Sequence, residues 1–188
     1  MKVSVFIATS LDGFIARPDG SLDWLPGSGE AGSEEFDSDS AAEVDDHGWN
    51  AFWDSVDCLV LGRKTFEKVL GYGVWPYEGT RVIVLSRTMV LVPEEVEGKI
   101  EIYAGDPQAL VDKLAAEGHE RLYVDGGQTI QSFLSRGLIS DLTINTIPVL
   151  IGEGIPLFGP LPEDIPLRHV KTESYPSGFV LSTYEISA

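Results

Sequence analysis

Positive charge is scarce in this sequence: 13 Lys and Arg stand against 30 Asp and Glu among 188 residues, a formal net charge of −17. Sequence-independent binding to nucleic acid or to an anionic membrane needs stripes of Lys and Arg, so neither is an expected partner. The charge reads as a solubility device. There is one cysteine, Cys58, inside the apolar run CLVLG. That excludes a disulfide framework and a thiolate zinc site, and makes the thiol a small buried hydrophobe. The N-terminal MKVSVFIATS is too short an apolar run for a signal peptide or a membrane span, so the cytoplasm is the expected compartment. There is no internal repeat, Walker A loop, G-x-S-x-G elbow or zinc-deaminase pattern.

What is present suits a single domain over residues 1–188, with 43% hydrophobic content. A chain of that size can bury roughly 70% of its unfolded surface. Val3–Ala8, Cys58–Leu61, Arg81–Leu85 and Leu122–Val124 are continuous apolar runs bounded by Gly, Asp or Ser, the pattern of buried parallel strands. KIEIYA adds a shorter strand before Asp106–Pro107. Helical patterns lie between and after them: a first helix over 41–54, then KTFEKVLG, PQALVDKLAAEG and QTIQSFLSRG, the last three ending at Gly71, Gly118 and Gly137. From residue 140, DLTINTIPVL, PLRHVKTESY and FVLSTYEIS are strand-like, and PSG joins the last two as a hairpin. The expectation is an α/β sandwich with a mostly parallel sheet and an antiparallel C-terminal third. Residues 25–46, with seven acids between Glu34 and Asp46, read as a long mobile loop running into the first helix. Only Asp37 and Asp39 keep the alternation of a calcium loop, so no metal is expected.

Against this acidic background, Gly62, Arg63, Lys64 and Thr65 stand where a strand stops and a helix begins. Helix N–H groups, a guanidinium, an ammonium and a hydroxyl could there converge on one anion. VLSRT, with Leu85, Ser86 and Arg87, again follows a buried strand. In VDGGQTI, Asp125 ends a strand and Gly126 and Gly127 precede a helix. The glycines either admit a phosphate-bearing ligand to backbone N–H groups or serve only as a tight turn, and the residues alone leave both open. GSGEAG at 27–32 matches a dinucleotide fingerprint only as letters, since it follows DWLP and enters an acidic run. Ligands of open α/β sheets bind beyond strand carboxyl ends, so the three strand ends outline one groove.

The ordered set ATSLDGFIA, DW, LGRKTFE, VLSRT and VDGGQTIQSFL resembles the dihydrofolate reductase superfamily. NTIPVLIGEGIPLFG at 145–159 is similar to its riboflavin-biosynthesis branch, the C-terminal reductase domain of the bifunctional deaminase-reductase. The resemblance runs from about residue 2 to the C-terminus. It implies a dihydrofolate reductase-like three-layer sandwich and an NADPH-dependent reductase, often a homodimer, acting on a small molecule. By the same resemblance, Arg63, Lys64 and Thr65 hold the 2′-phosphate and pyrophosphate, following Gly62. Leu85, Ser86 and Arg87 flank the adenosine. Gly126, Gly127, Gln128 and Thr129 form the pyrophosphate turn, usually with a cis Gly–Gly peptide. Ala8, Ile15 and Trp24 line the nicotinamide, and Asp12 makes a turn before Gly13.

Two carboxyls compete as proton donor. Asp46 matches the family interval back from Gly62 but is equally readable as a solvated acid at a helix start, whereas Asp125 matches an acidic substrate contact of the riboflavin-type enzymes. Trp49, Phe52 and Trp53 either stack on the substrate or belong to the core, and Asn145 is a further substrate contact. The family's substrate arginine is replaced by Thr80, with Arg81 one residue on and facing the other side of its strand. With no Lys or Arg over 41–54 either, the expected substrate is an uncharged pterin- or pyrimidine-like heterocycle or carbonyl compound. The alternatives on the same fold are a cofactor-binding module without turnover and a drug-modifying protein.

Overall fold

The computed structural model describes residues 1–27 and 46–187. The apolar runs all become strands: β1 (Lys2–Ser10), β3 (Cys58–Gly62), β4 (Arg81–Leu85), β5 (Ile100–Tyr103) and β6 (Arg121–Asp125). A short β2 (Phe14–Ala16) follows β1. The helices are α1 (Trp49–Trp53), α2 (Arg63–Gly71), α3 (Pro107–Ala116) and α4 (Gly127–Leu134). The chain closes with β7 (Asp141–Ile147), β8 (Ile155–Pro156), β9 (Leu167–Ser174) and β10 (Val180–Ile186).

Eight strands form one sheet in the order β5-β4-β3-β6-β1-β7-β10-β9. Every pairing from β5 to β7 is parallel, and only β10 with β7 and β9 with β10 run antiparallel. The expected antiparallel C-terminal third is seen in β7, β10 and β9, whose first strand also joins the parallel part of the sheet. β7 lies alongside β1 in parallel over Ser4–Ser10, because α4 returns the chain to the start of the sheet. β2 and β8 make a separate two-stranded ribbon.

Both faces of the sheet are covered, which is why the central strands are apolar at every position rather than at alternate ones. Val60, Ile83 and Val124 pack against Leu110 and Leu114 of α3 and Ile130 and Phe133 of α4. Leu59, Leu61, Val84 and Tyr123 pack on the other face against Phe52 of α1 and Phe66 of α2. Cys58 is fully buried in the first of these cores, and burial pushes its thiol up to about 12, so it is an inert hydrophobe. Helices on opposite faces diverge at the carboxyl ends of β3 and β6, and a crevice opens there.

The first helix is shorter than expected. His47 (φ 50) and Gly48 (φ 79) both lie in the left-handed region, which interrupts the helical pattern, so helix begins only at Trp49. Residues 41–45 of that expected helix, the calcium-like Asp37 and Asp39, and nearly all of the expected loop lie outside the described residues. Among the described residues no helix is long and apolar enough to cross a membrane.

Candidate active site

The two strand-to-helix turns singled out in the sequence lie side by side and are keyed into each other. A Cβ on Gly62 would stand 2.5 Å from Thr129 Oγ1, and one on Gly126 would stand 2.4 Å from Thr65 Oγ1. Each threonine thus fills the space left by the other turn's glycine. Gly126 also sits at φ 98, where an L side chain is strained. The expected cis peptide is corrected: no peptide is cis among the described residues, and the turn is made through this positive φ instead. A Cβ on Gly127 would meet Ile15 Cδ1 at 2.6 Å, which seats the β1–β2 segment on the same turn. That segment is tied down from its other side by Asp12, whose carboxylate accepts from Ser10 Oγ (2.6 Å) and from the Gly152 N–H (2.8 Å).

Neither α2 nor α4 has a side-chain cap at its N-terminus. By contrast, Asp106 caps α3, accepting from the N–H groups of Gln108 and Ala109. The uncapped pair opens into a cavity of about 1220 Å³ across the carboxyl ends of β1, β3, β4 and β6. All three sequence motifs line it: Gly62, Arg63, Lys64 and Thr65; Leu85, Ser86 and Arg87; Gly126, Gly127, Gln128 and Thr129. Of the expected wall, Ala8 and Ile15 line the cavity and Trp24 does not. Ser86 builds the turn that carries Arg87, its Oγ accepting from the Met89 N–H at 2.9 Å.

Five of the chain's 13 cations line this cavity, Arg63, Lys64, Lys68, Arg87 and Arg136, against three of its 30 acids, Asp19, Glu67 and Asp125. The local sign is thus opposite to that of the whole chain. Lys68 and Arg136 are additions to the sequence-based set. Lys68 was findable, standing four residues after Lys64 and hence on the same helix face. Arg136 was not, because it lies just beyond α4 and reaches the cavity only through the packing of that helix.

The two candidate acids differ sharply. Asp125 ends β6, opens partly onto the cavity, and accepts from its neighbour Gly126 N–H at 2.7 Å. Burial pushes its carboxyl from an ordinary 3.8 up to about 6, against the lowering effect of that N–H. The phenol of Tyr123 on the same strand face is likewise raised, first by burial and then by the Asp125 charge. Asp46 is exposed and does not line the cavity. Its carboxylate accepts from Asn50 N–H (2.8 Å) and Gly48 N–H (3.0 Å), which hold it below the usual range. It ties down the start of α1 and has no geometry for proton donation into the cavity.

The expected substrate contacts are also redistributed. Trp49, Phe52 and Trp53 do not line the cavity but pack with Phe6, Tyr77 and Tyr123, Trp49 and Trp53 being stacked at 5.5 Å. Their alternation with the sheet side chains makes them core. Trp24 is buried with Ile147 and Phe179, beside Ala8 and Leu25, and its Nε1 has no hydrogen-bond partner. Asn145 on β7 is buried as well, with Oδ1 unpartnered. Arg81 lies at the opposite end of the sheet, bonded to Glu101 (2.7 Å) and Glu117 (2.5 Å).

The family model described as the RibD C-terminal domain matches residues 1–181. The Bacillus subtilis (strain 168) protein YwjB, itself uncharacterized, is 32% identical over 178 residues, covering 93% of this chain and 92% of its own. A crystal structure from Shewanella sp. PV-4, named for riboflavin biosynthesis, superposes with a TM-score of 0.87 at 39% identity, over 100% of both chains. The dihydrofolate reductase of Enterococcus faecalis, complexed with NADP(H), superposes with a TM-score of 0.66 at 17% identity, over 100% of this chain and 97% of its own, and shows the fold alone. Together these show a dihydrofolate reductase-like fold. The strand-end motifs, the cavity they share and the match over nearly the whole length lead to one conclusion: the chain belongs to the RibD C-terminal domain family.

Proposed function

We propose that the chain is an NADPH-dependent reductase that delivers a hydride to a small uncharged heterocycle or carbonyl compound. The observation that carries this reading is the convergence in one cavity of two uncapped helix N-termini, five cations and a buried carboxyl.

The donor set fits the cofactor. Bare N–H groups at the starts of α2 and α4 suit a pyrophosphate. The guanidiniums of Arg63 and Arg87 suit the 2′-phosphate that separates NADPH from NADH. Arg63 meets Glu67 at 3.5 Å in an exposed pair, weak enough to be exchanged for phosphate. When bound, the dinucleotide supplies a hydride. Ala8, Ile15 and Leu25 give the β1 end of the cavity an apolar wall that excludes water from that step. Asp125 supplies the balancing proton: as carbon of a C=N or C=O bond gains hydride, the nitrogen or oxygen takes the Asp125 proton. With its carboxyl near 6, roughly 10% is protonated at pH 7, about a hundredfold more than for an ordinary carboxyl.

Arg81, held by Glu101 and Glu117 at the opposite end of the sheet, is not free to bind a substrate anion, which favours an uncharged substrate. The remaining partner is a second copy of this chain, following the family branch, with the cytoplasm as the compartment. Sedimentation at micromolar concentration tests the dimer.

The cofactor reading is tested by titrating NADPH and NADH into the protein and into Arg63→Ala with Arg87→Ala. Losing a charge-assisted contact costs about 10- to 100-fold. The variant should therefore lose most of its preference for NADPH while binding NADH nearly as before. An undiminished preference would overturn the assignment of these arginines. Binding without oxidation across pterins, pyrimidines, quinones and aldehydes would reduce the protein to a cofactor-binding module.

A further inference from the structure

The sheet comes apart between β1 and β6. Their pairing covers residues 2–4 against 121–123. β1 nevertheless runs on beside β7 as far as Ser10, and β6 runs on beside β3 as far as Asp125. Beyond Ser4 and Tyr123 the two strands are therefore the lips of a split, and Ile7, Ala8 and Asp125 on those lips line the cavity.

The main chain of β1 has a polar group turned into this split. Val3 addresses the β7 side, its N–H donating to Ser140 Oγ (3.1 Å) and its carbonyl accepting from the Ser140 N–H (2.7 Å). Lys2 addresses the β6 side, donating to the Glu120 carbonyl at 2.8 Å. Strand residues alternate in this respect, so Phe6, like Lys2 and Ser4, turns its carbonyl toward β6. Continued register would set Phe6 opposite Asp125, but the pairing has already ended. The phenol of Tyr123 takes the Phe6 carbonyl instead, donating at 2.9 Å. A buried carbonyl needs a donor, and here a side chain supplies the one that the ladder withholds. A main-chain donor would have drawn the strands to about 4.8 Å. The phenol satisfies the carbonyl and leaves them apart.

Tyr123 is held firmly for this task. It is buried, and its ring lies edge-on to Phe52 (5.1 Å) and Trp49 (5.9 Å), on the strand face that also carries Asp125 two residues on. Around Asp125, β1 offers Phe6, Ile7 and Ala8, β3 offers Leu61, and α1 offers Trp49, Phe52 and Trp53, none of them titratable. Arg63 and Lys64 at the start of α2 line the same cavity. The phenols of Tyr77 and Tyr123 are raised by burial and then by the Asp125 charge, so both stay neutral while Asp125 titrates.

We propose that Tyr123 is a positioning residue whose phenol, anchored on the Phe6 carbonyl, props the split between β1 and β6 and keeps water from its base, where Asp125 stands. This deepens the reductase reading, in which Asp125 gives the proton. Tyr123→Phe keeps the ring packing and removes the donor. The Phe6 carbonyl then recruits water through the open split. A carboxyl with water beside it ionises more readily.

The test is carbon-13 NMR of the full chain labelled at its Asp carboxyls, the Asp125 signal being identified by its loss in Asp125→Asn. It needs neither substrate nor cofactor. Asp125 should titrate near 6 in the unaltered protein and at least about half a pH unit lower in Tyr123→Phe, roughly a threefold loss of proton affinity. Phe52→Leu, which loosens the same aromatic packing and spares the phenol, should lower the melting temperature and leave the titration in place. A second measurement needs no variant: in mixed light and heavy water, the Tyr123 hydroxyl should exchange slowly enough to split the Cζ signal of labelled tyrosine. An unmoved or raised Asp125 titration in Tyr123→Phe, an equal shift in Phe52→Leu, or a hydroxyl exchanging too fast to resolve would overturn the proposal. If Asp125 shifts as expected while NADPH is neither bound nor oxidised, the reductase reading fails and the positioning role stands. NADPH oxidation with an unmoved Asp125 does the reverse.

Discussion

Replacing Asp125 by Asn should stabilise the protein and impair its chemistry, with a pH dependence that separates the two effects. The native carboxyl titrates near 6, while the unfolded chain returns it to 3.8, a difference of about two pH units. Below 3.8 both states are protonated and burial costs nothing in charge. Between 3.8 and 6 the native state holds a proton that the unfolded state has lost, so stability falls as pH rises through this window. Above 6 the full cost is present, at most about 3 kcal/mol at ~1.36 kcal/mol per unit. Asn keeps an acceptor for the Gly126 N–H and removes the charge. Thermal melts of both proteins from pH 4 to 8 should therefore nearly coincide at the acid end. They should diverge through pH 6 and run parallel above it, with the variant higher by roughly 6–12 °C for a chain of this size. Over the same range the parent's turnover should decline above about pH 6, as the protonated fraction is lost. The variant should be slower by about 10²- to 10⁴-fold and show no such decline. A melting difference that is constant with pH, or an Asn variant less stable than its parent at pH 7, would refute the claim that Asp125 is a desolvated carboxyl.

Gly126→Ala should disrupt the keyed turns, since its Cβ would lie 2.4 Å from Thr65 Oγ1 at a φ of 98. Left-handed strain and overpacking together predict a loss of about 2–5 kcal/mol in denaturant unfolding, with NADPH binding weakened in step. Thr65→Ala in the same chain should restore part of it, and additive losses would sink the keyed-turn account. Asp46→Asn should leave turnover and its pH profile unchanged and only loosen the start of α1, read by hydrogen exchange at Gly48 and Asn50, whose N–H groups bond its carboxylate. A variant without turnover would make Asp46 the proton donor after all.

The parallel core was legible in the chain because burial on both faces demands uninterrupted apolar runs, and Val60, Ile83 and Val124 supply them. The groove at the strand ends was legible for a related reason. Helix starts directly after buried strands must stand at strand carboxyl ends, so Arg63, Arg87 and Gly126 had to share one edge of the sheet once the strands were parallel. Short range was less readable. His47 and Gly48 end the helical pattern through backbone conformation, which amphipathic spacing does not encode. Trp49, Phe52 and Trp53 have the same helical spacing whether they face a ligand or Phe6 and Tyr123.

By itself, then, the sequence determined the parallel α/β architecture and the placement of scarce positive charge at strand ends, because both are written in patterns local to one element. Only the tertiary structure sets Asp125 apart from Asp46, since a carboxyl's proton affinity depends on what surrounds it in space: protein for the first, water and helix N–H groups for the second. The same holds for Trp24 and Asn145, whose unpaired atoms become visible only when strands far apart in the chain are laid side by side.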